Sequence, residues 1–156
     1  MLIGMSDDCH GIRMIDVGDK PVTPRTARAS ARLLARPETV ARIRAGNLEK
    51  GDAVATARIA GIMAAKRTSD IIPLCHPLPL DGVEVAVAFP DAATVAVETA
   101  VRTTARTGVE MEALVAAAAA ALAIYDMCKS IDPDMAIEQV RLEEKTGGVH
   151  GDYRRG

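Results

Sequence analysis

The chain has 156 residues, 49% of them hydrophobic, 26% charged and only 2% aromatic, with a formal net charge of -2. That length supports one domain, residues 1–156, whose core must be built from Ala, Val, Ile, Leu and Met. Phe89, Tyr125 and Tyr153 are too few to make a base-stacking surface and the charge gives no broad phosphate-binding face, so nucleic acid is excluded as a partner and any anion site is local.

From Thr23, "TPRTARASARLL" sets Ala27, Ala29, Ala31 and Leu33 against Arg28, Ser30 and Arg32. This period of 2 favours a half-buried strand, with a helix as the alternative because alanine is a weak strand former. Pro37 opens a short helix, "PETVARIRAG", that Gly46 closes. A second helix follows from about Gly51, "GDAVATARIAGIMAAKRTSD". Between Ile71 and Leu80, Pro73, Pro77 and Pro79 impose a rigid, extended loop that holds Cys75 and His76 side by side. "GVEVAVAF", the turn "PDAA" and "TVAVETAVRTTA" predict an antiparallel hairpin. A long helix is expected over Gly108 to Lys129, apolar nearly all round, with acids near its N-terminus and a lysine at its end as the helix dipole prefers. A last strand, "AIEQVRLEE", precedes a glycine-punctuated tail over 146–156. Strands and helices do not alternate regularly, so the pattern predicts an α+β domain, an antiparallel sheet with helices packed on one face.

Cys9, Cys75 and Cys128 are odd in number, far apart and without metal-finger spacing, which points to reduced thiols and a cytoplasmic protein. "MLIGMSDDCHGIRMIDV" carries acids where a secretory signal has its basic and apolar regions. The run "ALVAAAAAALAIY", bounded by Glu112 and Asp126, reads as too short to span a bilayer and as a buried helix instead.

Polar residues gather in four apolar settings: Lys50 with Asp52; Lys66 to Asp70, leading to His76; Glu110, Met111 and Glu112 at one end of the long helix with Asp126 and Lys129 near the other; and Lys145 before "TGG". Each has a plain structural reading. Asp126 and Lys129 suit a surface ion pair, Glu110 and Glu112 favour a helix N-terminus, and Lys66 complements a helix C-terminus. Cys75 and His76 lack partners at ligand spacing, so no metal is expected, and the glycines of "TGGVHG" fit neither nucleotide-binding pattern. Asp126 and Lys129, however, interrupt a very apolar helix, so their face is expected to be enclosed and their pKa values displaced. An enclosed lysine titrating near neutrality moves protons, and several lysines grip a polyphosphate, which suggests acid-base chemistry on an anionic substrate.

"KGDAVATARIAGIMAAKRTSDIIPLCHPLPL", "TGVEMEAL", "AIYDMCK" and "VRLEEKTGG", in this order and spacing, closely resemble the cyclic pyranopterin monophosphate synthases of molybdenum cofactor biosynthesis, from about Met14 to Asp152. The resemblance implies a ferredoxin-like subunit in a homo-hexamer, a trimer of dimers with active sites at subunit interfaces. It implies a lyase that converts 3′,8-cyclo-7,8-dihydroguanosine triphosphate, a GTP-derived substrate, to cyclic pyranopterin monophosphate with release of diphosphate, and needs no cofactor. By match to the family's motifs, Asp126, Lys129 and Lys50 are the catalytic residues. Leu74, Cys75, His76, Met111 and Glu112 correspond to substrate-binding segments, and Glu110, Lys66, Arg25 and Lys145 to further positions around the site. On this reading Cys75 is a pocket wall and not a nucleophile. The segment 1–13 departs from the family, and Val149 stands where the family often has lysine. Two rival readings are a silent nucleotide- or pterin-binding oligomer, against which the joint presence of Asp126, Lys50 and Lys129 speaks, and a structural oligomer whose polar residues are only interface ion pairs.

Overall fold

A computed structural model describes residues 11–156; Cys9 and most of the N-terminal stretch weighed above as a signal lie outside the described residues. In chain order the elements are β1 (Thr23–Leu34), α1 (Pro37–Arg44), α2 (Ala53–Lys66), α3 (Thr68–Ile71), β2 (Leu80–Asp91), β3 (Thr94–Ala105), α4 (Glu110–Cys128), β4 (Ala136–Thr146) and β5 (Tyr153–Arg154). The strands form one five-stranded sheet in the order β2-β3-β1-β4-β5, with every neighbouring pair antiparallel. The fold class is α+β, as the irregular succession of elements predicts.

The alternating segment from Thr23 is a strand, and its alanines have a reason. Ala27, Ala29, Ala31 and Leu33 are fully buried and stand opposite Val101, Thr99, Val97 and Val95 of β3. Above them lies α4, whose buried face is itself mostly alanine: Ala113, Ala116, Ala117, Ala120 and Ala121. Small residues on both layers let the helix sit close to the sheet, and β-branched residues on β3 fill what remains. The buried Thr99 hydroxyl donates to the Ala113 carbonyl at 2.8 Å, so the one polar group at this contact is satisfied.

α2 lies beside α4 and runs antiparallel to it, since Gly61 meets Ala116 and Ala120 while Lys50, just before α2, meets Asp126 near the end of α4. A Cβ on Gly61 would stand 2.9 Å from Val85 Cγ2 and 3.1 Å from the Ala116 carbonyl oxygen, so this position admits only glycine without movement. α4 spans 19 residues inside the expected stretch from Gly108 to Lys129, and, contrary to the reading of its apolar run as too short, by length and composition alone it could cross a membrane. Its packing against both sheet and α2 makes it a core helix instead.

The segment expected as one helix from Gly51 to Asp70 is two, α2 and α3, separated at Arg67. The tail contains β5, a strand with no sequence signal, paired to β4 through Glu144 with Arg154 and Lys145 with Tyr153. α1 has no cap of its own: the buried Asp132, beyond α4, accepts from the Arg36 amide at 2.8 Å and serves as its N-cap from a distance in sequence. Burial opposes ionisation of Asp132, but that amide, Thr39 and the Arg36 guanidinium outweigh it and hold its pKa low.

Gly61→Val forces its branched side chain into the Ala116 backbone and is expected to cost about 1–3 kcal/mol. The check is urea denaturation, in which the midpoint falls at constant slope; a wild-type midpoint would mean that α2 and α4 have room to spare.

Candidate active site

The sequence-derived site residues fall into two groups at opposite ends of α4. At its beginning, a cavity of about 440 Å³ is lined by Leu74, Cys75 and His76 of the proline loop, by Thr107 and Gly108 before the helix, and by Glu110, Met111 and Glu112 in its first turn. The loop is held in shape by the Cys75 amide, which donates to the Ile72 carbonyl at 3.2 Å. Glu110 accepts an ion pair from Lys145 at 3.3 Å, both side chains being about 30% exposed. Arg25 donates to the carbonyls of Ala105 and Arg106, each at 3.2 Å, and so fixes the connection that leads into α4. Gly147 and Gly148, both at positive φ, bring the tail against Pro24 and Arg25 where no side chain fits. Lys66 stands at the end of α2 on a shallower recess that shares Leu78 with the cavity.

Two groups of this cavity have displaced pKa values. Glu112 is 4% exposed, and burial, with the charge of Glu110 adding to it, raises its pKa even though its own amide lowers it. The Cys75 thiol is raised by burial and then by the charge of Glu112. A raised thiol pKa makes the nucleophilic thiolate scarcer.

At the far end of α4, Asp126 accepts from Lys129 Nζ at 2.7 Å and from Lys50 Nζ at 2.8 Å, one carboxylate oxygen to each. Lys50 also donates to the Asp126 carbonyl at 3.1 Å. Lys50 is delivered by a turn ending at Gly51, and Asp52, paired with it in the sequence analysis, is the N-cap of α2, accepting from the Ala55 amide at 2.9 Å. The bonds and charges of Lys129 and Lys50 hold Asp126 down to about 2, and Asp126 in turn raises Lys129. Within the chain this overturns two expectations. Asp126 and Lys129 are 54% and 58% exposed and not enclosed, and Lys129 is moved away from neutrality because the hydrogen bond and charge of Asp126 outweigh desolvation and favour the ammonium.

From Glu112 to Asp126 is fourteen residues of helix, about 21 Å along the axis at ~1.5 Å each, so one small ligand cannot touch both groups of a single chain. A larger cavity, about 550 Å³, lies on the outer face of the sheet among Arg28, Arg32, Glu98, Arg141 and Glu143. None of the sequence-derived site residues lines it, and several of its charges are paired, Arg28 with Glu98 at 3.5 Å and Arg141 with Glu143 at 2.7 Å. Among the described residues no three His, Cys, Asp or Glu side chains converge as a metal site requires. Sequence reasoning missed Arg13 and Lys20, which line the first cavity from the segment before β1. That segment has no periodicity, so only its basic residues could have signalled it.

Because Glu112 ionises at a higher pH folded than unfolded, the folded state binds the extra proton, and its charged form costs stability as pH rises through the raised value. Glu112→Gln is therefore expected to raise the melting temperature at pH 8 and to leave it unchanged at pH 4; a gain of equal size at both would show that the carboxylate is not the cause.

The sequence pattern of the MoaC family matches residues 14–148, which includes both ends of the site. A cyclic pyranopterin monophosphate synthase of Brevibacillus brevis is 54% identical over 144 residues, 92% of this chain and 90% of that protein. Proteins of the same name from Herpetosiphon aurantiacus and Streptomyces griseus are 56% and 54% identical over 149 residues, covering 95% and 96% of this chain and 91% and 84% of theirs. With a family match across most of its length and relatives this similar over nearly all of it, the chain belongs to the MoaC family.

Proposed function

We propose that this protein is a cytoplasmic, single-domain lyase that converts 3′,8-cyclo-7,8-dihydroguanosine triphosphate to cyclic pyranopterin monophosphate with release of diphosphate, an early step toward the molybdenum cofactor. The reading rests on family membership and on relatives that carry the synthase name. The observation that carries its structural side is the division of the site residues between the two ends of α4. Met111, Val115, Ala118, Leu122, Asp126 and Lys129 recur at helical spacing along one outward stripe, apolar from Met111 to Leu122 and charged at Asp126 and Lys129. Beside it α2 exposes Ile59 and Met63, 60% and 48% accessible. A second copy related by a two-fold axis, laid antiparallel on this face, covers the apolar middle and brings the Lys50–Asp126–Lys129 group of each subunit over the proline-loop cavity of the other. Two composite sites result per dimer, and three dimers make the hexamer. The β1-α2-β2-β3-α4-β4 succession, with β1 and β3 central in the sheet, supports the ferredoxin-like description.

In such a site the roles divide by charge. Leu74, Cys75, Met111 and Glu112 take the base, whose N–H donors replace the water that the buried Glu112 carboxyl has lost. Lys50 and Lys129 are ammoniums held in place by Asp126, so they act as acids. Lys129 gives its proton to the opening purine ring, and the resulting amine takes one back from the ribose. When a substrate hydroxyl attacks the α-phosphorus and the bond to diphosphate breaks, His76, Lys66 and the two ammoniums meet the charge that leaves. Arg25 and Lys145 act through Glu110 and the loop they hold.

Lys129→Ala removes an acid and one partner of Asp126, and about a 100- to 10,000-fold loss of turnover is expected, the range of general acid–base catalysis. The measurement is mass spectrometry of the pyranopterin and diphosphate formed from the cyclic nucleotide. Wild-type protein that binds the nucleotide and forms neither product would be a silent binder, contrary to the proposal.

A further inference from the structure

The segment that leads into β1 does not behave like a tether. Ile12, Met14 and Ile15 are 87%, 50% and 60% exposed, so core burial does not hold it where it lies. It nevertheless borders the cavity at the start of α4, to which it contributes Arg13, Ile15, Val17 and Lys20. Its path is fixed locally: Asp16 accepts from the Gly18 amide at 2.8 Å, and the Lys20 amide donates to the Val17 carbonyl at 3.1 Å. That turn occupies Asp16, and Asp19, the other carboxylate of the segment, forms no ion pair with Arg13 or Lys20 among the described residues.

Two other cations at this end are committed, Lys145 to Glu110 at 3.3 Å and Arg25 to two backbone carbonyls at 3.2 Å. Arg13 and Lys20 have no carboxylate within ion-pair distance among the described residues. The cavity is therefore polarised, with carboxyl groups and apolar walls on the helix side and uncommitted cations on the segment side. A nucleoside polyphosphate has the matching polarity, N–H donors on its base and all its negative charge on the phosphates.

We infer that residues 12–20 form a wall of the substrate site and that Arg13 and Lys20 bind phosphate oxygens of the nucleotide. This deepens the proposed synthase reading, on which the identity of the nucleotide rests. Both side chains lie outside the core, so their removal leaves the fold intact, which circular dichroism verifies.

The test uses the full chain with Arg13→Ala, Lys20→Ala, the double variant and Lys20→Arg. Calorimetric binding of GTP is compared with that of guanosine, alongside KM for the cyclic nucleotide. Each alanine is expected to weaken GTP binding about tenfold, the loss of one charge-assisted contact. Guanosine affinity stays at the wild-type value, KM rises in step, kcat is little changed, and Lys20→Arg restores most of the loss. Equal GTP affinity in the wild type and the double variant, or a parallel loss for guanosine, overturns the inference, as does a wild type that binds no GTP. If the variants lose GTP affinity as expected but the wild type forms no pyranopterin, the phosphate contacts stand and the synthase reading falls. If the wild type turns over and the double variant keeps its KM, the inference falls alone.

Discussion

The close antiparallel contact of α2 and α4 is the constraint on which the rest depends. It exists because Gly61 offers no Cβ to the Ala116 carbonyl and because both helices bury small residues at the seam. Closeness here decides the positions of groups far apart in sequence. Lys50, just before α2, reaches Asp126 near the end of α4, while the loop beyond α2 and α3 folds back over the first turn of α4. One helix pair thus arranges both ends of the site and leaves an apolar stripe between them facing outward.

The two ends differ in the physics that prepares them. At the proline loop, desolvation dominates and the ionised form of Glu112 is disfavoured. At the lysine end, exposed charges in direct contact dominate, and Asp126 is held ionised by two ammoniums. An exposed pair of this kind contributes little to stability in water, which makes a purely structural role a poor explanation for three charged groups converging at 2.7 and 2.8 Å. In the proposed dimer, covering by a second subunit would remove the water that screens them and strengthen their field on a polyphosphate. The same proposed covering would supply the enclosure that the apolar character of α4 led one to expect and that the single chain lacks.

Much of this was legible in the sequence because it follows from local rules. The alternation in "ASARLL", the hairpin around "PDAA" and the prolines that fix the Cys75–His76 loop all act within a few residues, and each stands where expected. The features that were not legible are those set by distant partners. Asp132 capping α1, β5 pairing with β4, and Lys50 meeting Asp126 across 76 positions carry no periodic signal. The error about Lys129 has the same origin: an apolar helix says that something covers it, but not whether that cover belongs to the same chain. Arg13 and Lys20 escaped because a segment without secondary structure reads as a linker until its neighbours are known.

The composite nature of the site is tested most directly by mixing subunits. His76→Ala and Lys129→Ala disable opposite ends of α4 and each is expected to be inactive alone. After subunit exchange, a mixed dimer carries one site with both lesions and one with neither, so about a quarter of wild-type activity should return at equal mixing. A mixture that stays inactive, with native mass spectrometry showing that hybrid dimers have formed, would contradict a site shared between two chains.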